Sequence, residues 1–397
     1  MTTKELLTWK LGVILSFGVT IAGVIVFWDQ IKKTFNIIND NNNTVKKNIN
    51  KISKLKNKDK IKRVVNKTDE IIEELPNPRW VKIGKIKELY YYPLKSGRGK
   101  ELTECNFTEY GIAVCDTQCC ITLRDRMFMV YNEETGKFIT GRNFPTLLLV
   151  SICAVDKSKV KLEATGMSNY IFELLPKDID NTVDCTMWWG EPVKCTDCGD
   201  GPAQWISQFL TGTNSGLRIG LALDNTNHSR NILEGPWEKF TKVYNTLTND
   251  DVGLFADLAS YMLMTESSLE ELNNKLENKI SALQFRPNIV VSGTEAFKED
   301  NWEWIKIGSS VILRNVKPCS RCTMTRVNPE TGKVDDKLEP LKTLRTFRQQ
   351  KNQDRIFVDG KAPILGIYCG LYSIGNVKIG DDVFLHQSAI SVRTTVL

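Results

Sequence analysis

The hydrophobic and polar positions of this chain divide it into three stretches. From Leu11 to Trp28 no residue is charged. From Asp29 to Leu75 the chain is rich in Asn and Lys and has a single aromatic residue, Phe35. Beyond Pro78, short runs of β-branched and aromatic residues alternate with turn residues, a pattern typical of a globular region built from many short strands.

The uncharged first stretch predicts a membrane-spanning helix. About 18 residues at a rise of about 1.5 Å each give a helix of about 27 Å, enough to cross a thin bilayer. Residues 1–28 are therefore expected to be an N-terminal membrane anchor, with Trp9 and Trp28 at the two interfaces. A cleaved signal peptide is the alternative, but Asp29 and Gln30 follow the segment rather than small residues. More lysines follow the segment than precede it, which predicts that the C-terminal part lies in the cytosol.

The second stretch, residues 29–79, is interpreted as a tether because it has too few large hydrophobic residues to build a core. Val45, Ile49, Ile52 and Ile61 fall at roughly helical spacings, which would suit an amphipathic helix lying on lipid or on the globular region. A solvated spacer with transient helicity fits the same composition. The pattern leaves both alternatives open.

The third stretch predicts a mixed α/β, β-rich fold with a barrel-type core. Two runs before and after Glu134–Gly136 (FMVYNEETGKFIT) predict a hairpin. Other predicted strands are TLLLVSICAV, KVKLEA, IVVSG, SVILRNV and VKIGDDVFL. Helical patterns are fewer: one begins at Ala203, and another begins at Ser267, which with Glu270 has the spacing of a capping box.

Composition narrows the class of protein. The chain has 397 residues, of which 41% are hydrophobic and 25% are charged, with a formal net charge of +6. Its lysines are concentrated in one segment rather than interleaved with aromatic residues, so nucleic-acid binding is not expected. A mildly basic surface would suit an acidic protein partner. The odd number of cysteines, 11, favours reduced thiols in a compartment facing the cytosol.

The segment KPCSRCTMTRVNPETG, Lys317 to Gly332, carries the strongest chemical signal. Cys319 and Cys322 have the spacing of a metal-binding or redox pair. With Cys195 and Cys198 they would complete a four-thiolate structural zinc site. Ser320 and Arg321 between the thiols instead suit an anionic cofactor beside a single thiolate, and the spacing alone leaves both readings open.

Six motifs follow one another in a recognisable order. They are YYPLKSGRG, LRDRMFMVYNEETGKFITGRNFPTLLLVS, DCGDGPAQWISQFL, QFRPNIVVSG, PCSRC, and ILGIYCG followed by IGDDVF. With these motifs the chain, from Trp80 to His386, resembles the MOSC-domain molybdenum enzymes, and most closely the mitochondrial amidoxime reducing component (mARC) family. The resemblance implies an N-terminal MOSC-associated β-barrel domain at residues 80–200 and a MOSC β-barrel domain with helical insertions at residues 201–397.

The resemblance also implies a molybdenum-molybdopterin cofactor and the residues that hold it. Cys322 matches the molybdenum ligand and is expected to be a thiolate beside Arg321 and the metal. Asp257 matches an acidic residue near the metal that could donate a proton during catalysis. The remaining implied cofactor contacts are Lys95, Ser96, Arg126, Arg286, Asn288, Ser320 and Arg321. The alternatives are structural: Arg126 could simply pair with Asp125, and Asp257 could be solvated or cap a helix.

The sequence departs from the family pattern after Asp257, where Leu258 and Ala259 stand in place of small hydroxyl residues. Either Ser260 substitutes for them in a shifted register or some hydrogen bonds to the cofactor are missing. The segment with Cys115, Cys119 and Cys120 also looks longer than usual, and no function is assigned to it.

The activity implied by the resemblance is reduction of N-hydroxylated compounds, amidoximes and hydroxylamines among them. Electrons would come from NADH through a flavin reductase and cytochrome b5, at the mitochondrial outer membrane, and the protein is expected to be a monomer. No GxGxxG motif follows a predicted strand, so direct NADH binding is not expected. Two other functions fit parts of the sequence: a MOSC sulfur carrier in cofactor maturation, and a membrane-tethered scaffold with the four-cysteine zinc site.

Overall fold

The computed structural model describes residue 75 and residues 78–115, 121–156, 158–174, 182–222 and 230–386. The predicted anchor, all but a few residues of the predicted tether, and the pair Cys119–Cys120 lie outside these residues. Within the described ranges, no helix is both long enough and apolar enough to span a membrane.

The described chain is β-rich with a few short helices. Its strands are β1 (Trp80–Tyr91), β2 (Lys100–Leu102), β3 (Glu104–Thr108), β4 (Gly111–Cys115), β5 (Thr122–Arg124), β6 (Phe128–Asn132), β7 (Phe138–Ile139), β8 (Ser151–Ala154), β9 (Lys159–Glu163), β10 (Tyr170–Glu173), β11 (Thr182–Thr186), β12 (Pro192–Asp197), β13 (Leu217–Leu221), β14 (Tyr261–Thr265), β15 (Ile289–Ser292), β16 (Trp304–Ile307), β17 (Val311–Ser320), β18 (Ile364–Ser373), β19 (Gly375–Lys378) and β20 (Asp382–His386). Its α-helices are α1 (Asp200–Thr211), α2 (Glu238–Val243), α3 (Glu266–Asn273), α4 (Leu341–Arg348) and α5 (Gln353–Asp359).

The largest sheet closes on itself. Its order is β15-β14-β18-β17-β16-β20-β1-β2, and β15 also pairs with β1, which completes a ring. The register of the long strand β1 shifts between Lys82 and Gly84 against β20 and between Ile86 and Glu88 against β15. A Cβ at Gly84 would lie 2.0 Å from the carbonyl oxygen of Ser292, so only glycine permits this close crossing.

Three smaller sheets surround this ring. They are β11-β12-β13-β6-β7, β19-β3-β4-β5 and β10-β9-β8. The predicted hairpin at Glu134–Gly136 is confirmed, since β6 pairs with β7 through Val130 and Ile139. Three of the four sheets combine strands from before and after residue 200, and the division of the chain into domains at that position stays a prediction.

Two local predictions need correction. The run TLLLVSICAV is not one strand: Pro145–Leu149 forms a 3₁₀ turn and only β8 is extended, because proline has no N–H for a strand ladder. The helix predicted from Ser267 begins one residue earlier, with Thr265 as its N-cap accepting from the Ser268 N–H at 3.2 Å. The capping box predicted from Ser267 is therefore wrong.

Hydrophobic side chains form one large core and two smaller clusters. The second cluster contains Tyr92, Met264, Phe285 and Cys319. The third lies under α2 and α5 and includes Leu258. Both smaller clusters underlie the loops that carry the predicted site residues, so the position of the site is set by core packing rather than by the loops alone.

Candidate functional site

One cavity collects every residue that the family resemblance assigned to the site. It has about 860 Å³ of space free of protein atoms, including its open mouth. The residues come from five separate segments, which the closed sheet brings together. Those that line the cavity are Lys95, Ser96, Arg126, Asp257, Arg286, Asn288, Ser320, Arg321 and Cys322.

Three of the lining residues have an unusual backbone conformation. Ser96, Arg126 and Arg286 have φ of 61°, 49° and 56°. Left-handed backbone costs a non-glycine residue of the order of 1–3 kcal/mol and is concentrated at functional sites. Hydrogen bonds hold it here: the Arg126 N–H donates to the Tyr92 carbonyl at 2.7 Å and the Arg286 N–H donates to the Leu283 carbonyl at 3.1 Å. The fold therefore keeps three strained residues at this cavity, which is typical of a functional site.

Two half-buried arginines lie over the same tyrosine ring. The guanidinium carbons of Arg126 and Arg286 are 4.4 and 4.2 Å from the centroid of Tyr92. Arg286 Nη1 donates to the Gly97 carbonyl at 2.7 Å, but its Nη2 is buried with no partner. Burial, helped by the nearby Arg126, lowers the pKa of Arg286 to about 10. A buried guanidinium with a free N–H beside a second cation is suited to binding an anion.

Arg126 pairs with Asp125, as the structural alternative predicted. It also lines the cavity. Its Nη1 forms an ion pair with Asp125, and its Nη2 donates to the Arg286 carbonyl at 3.3 Å. Pairing with Asp125 therefore fixes the orientation of Arg126 without removing it from the cavity.

Lys95 and Asp257 form an ion pair at the cavity wall. Burial lowers the pKa of the Lys95 ammonium to about 8, against the opposing effect of Asp257. Burial acts to raise the pKa of Asp257, but Lys95 outweighs it and holds that pKa below its usual range. Asp257 is therefore a carboxylate near neutral pH and the proton in this pair is on Lys95, while the predicted proton donation by Asp257 during catalysis stays a prediction.

A second ion pair fixes the loop that carries Asp257. Arg230 donates through Nε and Nη2 to the two carboxylate oxygens of Glu191 at 2.7 and 2.8 Å. The same guanidinium donates to the carbonyls of Ala256 at 2.7 Å and Asp257 at 3.0 Å. Both side chains are buried, so this pair is a rigid brace for the backbone on each side of the cavity carboxylate.

The two cysteines of the PCSRC turn have different environments. Cys319 is buried in the second cluster, whereas Cys322 is exposed in the cavity. Arg321 turns its guanidinium away, donating to the carbonyls of Leu365 and Phe285 at 2.9 Å each. Removal of water by the cavity walls, with a contribution from Asp257, raises the pKa of the Cys322 thiol, against smaller opposing effects of Arg142 and Arg321. The expected thiolate depends on the metal as well as on Arg321, so it stays a prediction.

Two other predicted contacts already have protein partners. Asn288 donates through Nδ2 to the Tyr90 carbonyl at 3.2 Å and accepts through Oδ1 from the Met262 N–H at 3.1 Å. The Ser320 hydroxyl donates to Asp359 at 3.0 Å. Both residues line the cavity and hold its walls together, and their role as cofactor contacts stays a prediction.

The structure decides between the two readings of Leu258, Ala259 and Ser260. The Ser260 hydroxyl donates to the carbonyls of Glu109 and Asp251 at 3.2 Å each, while Leu258 is buried in the third cluster. Substitution by Ser260 in a shifted register is therefore wrong. Ala259 contributes only a methyl group to the cavity, so hydroxyl groups are missing at this part of its wall.

Several functional candidates were not singled out from the sequence. Arg142 lines the cavity and stacks on Trp188, with 4.2 Å between its guanidinium carbon and the ring centroid. The ring of Tyr92 contacts both Arg126 and Arg286. Arg142 and Tyr92 lie within or beside quoted motifs, so closer attention to those motifs would have found them. The Glu191–Arg230 ion pair could not be found in this way, because its two residues are 39 positions apart and no sequence motif links them.

The four-cysteine zinc site is wrong. No group of three or more His, Cys, Asp or Glu residues in the described ranges could hold a metal ion. Cys195 and Cys198 pack in the large core, where Cys195 Sγ lies 3.6 Å from Cys185 Sγ. Cys195 and Cys198 therefore lie in the large core, whereas Cys319 of the PCSRC turn lies in the second cluster.

Comparison with known proteins agrees with this architecture. Residues 83–213 match the family profile described as the MOSC N-terminal beta barrel domain, and residues 250–384 match that of the MOSC domain. The chain is 32% identical over 307 residues to "Mitochondrial amidoxime-reducing component 1" of Mus musculus, covering 77% of this chain and 84% of that one. The Homo sapiens protein of the same name is 32% identical, covering 76% and 83%. The Danio rerio protein is 34% identical, covering 76% and 85%.

Among solved structures, the YUAD protein from Bacillus subtilis aligns with 78% of this chain and all of its own at 11% identity, with a TM-score of 0.30 that is too low to support an argument. The sequence matches are sufficient without it. Their extent, together with the closed sheet and the cavity at the PCSRC turn, defines a protein of the MOSC class. Within that class, the chain belongs to the family of the mitochondrial amidoxime-reducing components.

Proposed function

We propose that this protein is a molybdenum-cofactor-dependent reductase of N-hydroxylated compounds, amidoximes and hydroxylamines among them. The observation that carries the proposal is the pairing, in one cavity, of an exposed thiol at Cys322 with a buried, unpartnered N–H at Arg286 Nη2. A soft sulfur ligand and an anion-binding guanidinium are two of the groups that a metal–pterin phosphate requires. The names of the relatives support the same activity.

The residues present fit such a cofactor. Cys322 would hold the metal, and Arg286 and Arg126 would bind the phosphate. Ser96 would meet the cofactor along the wall between them. A bound molybdenum cofactor supplies the two electrons needed to cleave the N–O bond. The overall reaction is R–NHOH plus two electrons and two protons giving R–NH₂ and water.

The Lys95–Asp257 pair supplies the acid–base chemistry in this proposal. The Lys95 ammonium, with a pKa of about 8, is acidic enough to give a proton to the departing hydroxyl near neutral pH. Asp257 accepts the hydrogen bond from Lys95 and keeps the ammonium at the cavity wall. The Glu191–Arg230 brace holds the Asp257 backbone while this happens.

The resemblance to the family is the basis for our proposals on the source of electrons and the location. We propose NADH, a flavin reductase and cytochrome b5 as the electron path, and a mitochondrial site with residues 1–28 as the membrane anchor. The sulfur-carrier alternative requires a persulfide on an accessible cysteine, which Cys322 would also provide. It does not account for the buried Arg286 N–H or for the arginine pair around Tyr92.

The deciding experiment is measurement of metal and pterin on the full chain, purified from a host that makes the molybdenum cofactor. We expect about one molybdenum per chain together with an oxidised pterin that fluoresces, and reduction of an amidoxime to the amidine when reduced methyl viologen is the electron source. A sulfur carrier would contain neither molybdenum nor pterin and would transfer sulfur from a labelled persulfide donor.

A further inference from the structure

Helix α5 presents an unusually exposed phenylalanine. Phe357 is 80% exposed, more than any other large hydrophobic side chain in the part of the chain that the structure describes. Its neighbour Val358 is 7% exposed and packs in the third cluster. The helix is thus anchored through Val358 while Phe357 faces outward. A single exposed hydrophobic residue needs no explanation, so the surroundings of Phe357 decide whether it has a role.

The stretch of chain on either side of Phe357 is basic. Between residues 341 and 361, Lys342, Arg345, Lys351 and Lys361 are exposed, whereas Asp354 is the one exposed acid. The other acid of this stretch, Asp359, is neutralised by Lys317 at 2.6 Å. We call these four basic side chains and Phe357 the α4–α5 surface. The positive charge of this surface favours an acidic partner, and Phe357 can anchor that partner.

The α4–α5 surface is linked to the cavity by direct hydrogen bonds. Asp359, two residues after Phe357, accepts from the Ser320 hydroxyl at 3.0 Å. The Arg321 N–H donates to the carbonyl of Pro363 at 2.8 Å. Ser320 and Arg321 precede Cys322 and line the cavity. Residues at the end of α5 and just after it are therefore hydrogen-bonded directly to the turn that carries Cys322.

We infer that the α4–α5 surface is the docking site of an acidic electron-carrier protein. This inference rests on the proposed function, which requires electrons to enter from another protein. Electron transfer weakens steeply with distance, so the carrier has to dock close to Cys322. A basic surface whose helix α5 is hydrogen-bonded to the turn that carries Cys322 satisfies the requirement and steers an acidic protein toward it. The Lys-rich residues 29–75 of the chain have the wrong charge to cover this surface.

The test compares two variants with two matched controls in the cofactor-loaded full chain. The variants are Phe357→Ser and the double substitution Lys351→Glu with Lys361→Glu. The controls are Ile374→Ser, which alters another exposed hydrophobic residue (58% exposed), and Lys378→Glu, which alters an exposed lysine on β19. The probe is the soluble domain of an acidic b-type cytochrome. Two quantities are measured: its Kd for the protein, and amidoxime reduction driven by either the reduced cytochrome or methyl viologen.

We expect both variants to raise the Kd for the cytochrome and to lower cytochrome-driven kcat/KM by about tenfold or more. Viologen-driven activity, molybdenum content and Tm should stay unchanged, since the substituted residues are exposed and lie outside the cavity. Salt in the range of about 50 to 300 mM should slow the wild type more than the double variant. Both controls should behave as the wild type.

Unchanged cytochrome Kd in both variants would overturn the docking site. So would a loss of binding to vesicles of anionic phospholipid with no loss of cytochrome binding, because the surface would then serve a membrane. Failure of the proposed function is a separate result: the wild type would lack molybdenum and viologen-driven activity, while the effect of the variants on Kd would still be measurable.

Discussion

Arg286 has an environment that is unfavourable without a ligand. Its backbone is left-handed, its guanidinium is buried against Tyr92, and its Nη2 has no partner. A buried cation without a counter-charge destabilises a folded protein unless something else binds it. An anionic cofactor would supply the partner that Arg286 Nη2 lacks and would thereby stabilise the folded protein.

Replacing Arg286 with Met should separate stability from cofactor binding. We expect the free energy of unfolding of the cofactor-free protein to rise by about 1 kcal/mol, because a buried charge disappears. Molybdenum and pterin content should fall by about tenfold or more. Denaturant unfolding and metal analysis measure the two effects. Arg79→Met, which removes an exposed arginine, serves as control and should change neither; a loss of stability in Arg286→Met would mean that the guanidinium is a structural group.

The two classes of cysteine should respond differently to substitution. Cys322→Ser should lower molybdenum content by about tenfold or more while the free energy of unfolding changes by less than about 0.5 kcal/mol, because the residue is exposed. Cys195→Ala removes a sulfur from the large core and should lower stability by about 1 kcal/mol with normal metal content. Metal analysis and urea unfolding test both. Loss of molybdenum in Cys195→Ala would refute the assignment of Cys322 as the ligand.

At the scale of elements, the carboxylate of Asp197, at the end of β12, connects this strand to β13, to β6 and to the start of α1. Asp197 accepts from Arg218 of β13 at 2.7 and 2.8 Å and from the Tyr131 hydroxyl of β6. It also accepts from the Gly199 N–H at 2.7 Å, just before α1 begins. Burial acts to raise the pKa of Asp197, but these hydrogen bonds outweigh it and hold the pKa below its usual range. The junction of this sheet with α1 therefore depends on an ionised group.

This junction predicts a defined pH dependence of stability. Because the folded-state pKa of Asp197 is depressed, its contribution is complete above the unfolded value of about 3.9 and is lost as the pH falls through the folded value. Asp197→Asn should lower the free energy of unfolding by about 2–3 kcal/mol at pH 7. The difference from wild type should shrink below about pH 4. Urea unfolding at several pH values measures it, and a difference that stays constant down to about pH 3 would contradict the ionic origin.

At the scale of the whole molecule, the sheets do not follow the order of the chain. β1 pairs with β15 and β20, and β3 pairs with β19. The first family match, residues 83–213, thus contains strands whose partners lie in the second, residues 250–384. Separating the two would expose long unpaired strand edges.

A fragment of residues 80–213 should accordingly fail to fold alone. We expect it to aggregate or to give a collapsed NMR spectrum, and to be digested rapidly by protease. A chain of residues 78–386, which keeps every strand pairing described here, is the control and should give dispersed signals. Dispersed signals from the short fragment would mean that the first match is an independent domain.

The sequence alone was sufficient for features with a local signal. The period-2 runs predicted the hairpin of β6 and β7. The six motifs contain eight of the nine predicted site residues, and the family resemblance supplied the ninth, Asp257. The sequence did not predict the 3₁₀ turn at Pro145–Leu149 or the N-cap at Thr265, where neighbouring residues competed for the same role. The first error covers Thr146–Leu149 and the second only one or two positions, since the choice among adjacent caps and turns depends on tertiary packing.

Tertiary structure alone decided how the cavity residues interact. Lys95 and Asp257 are 162 positions apart in the chain, and no local pattern indicates that their charges meet. The same holds for the Glu191–Arg230 brace, for Arg321 turning to backbone carbonyls, and for the unpartnered N–H of Arg286. The amino-acid sequence determined which chemical groups the protein contains and which family it belongs to. The closed sheet determined their protonation and pairing, because burial and distance between remote segments set electrostatic energies.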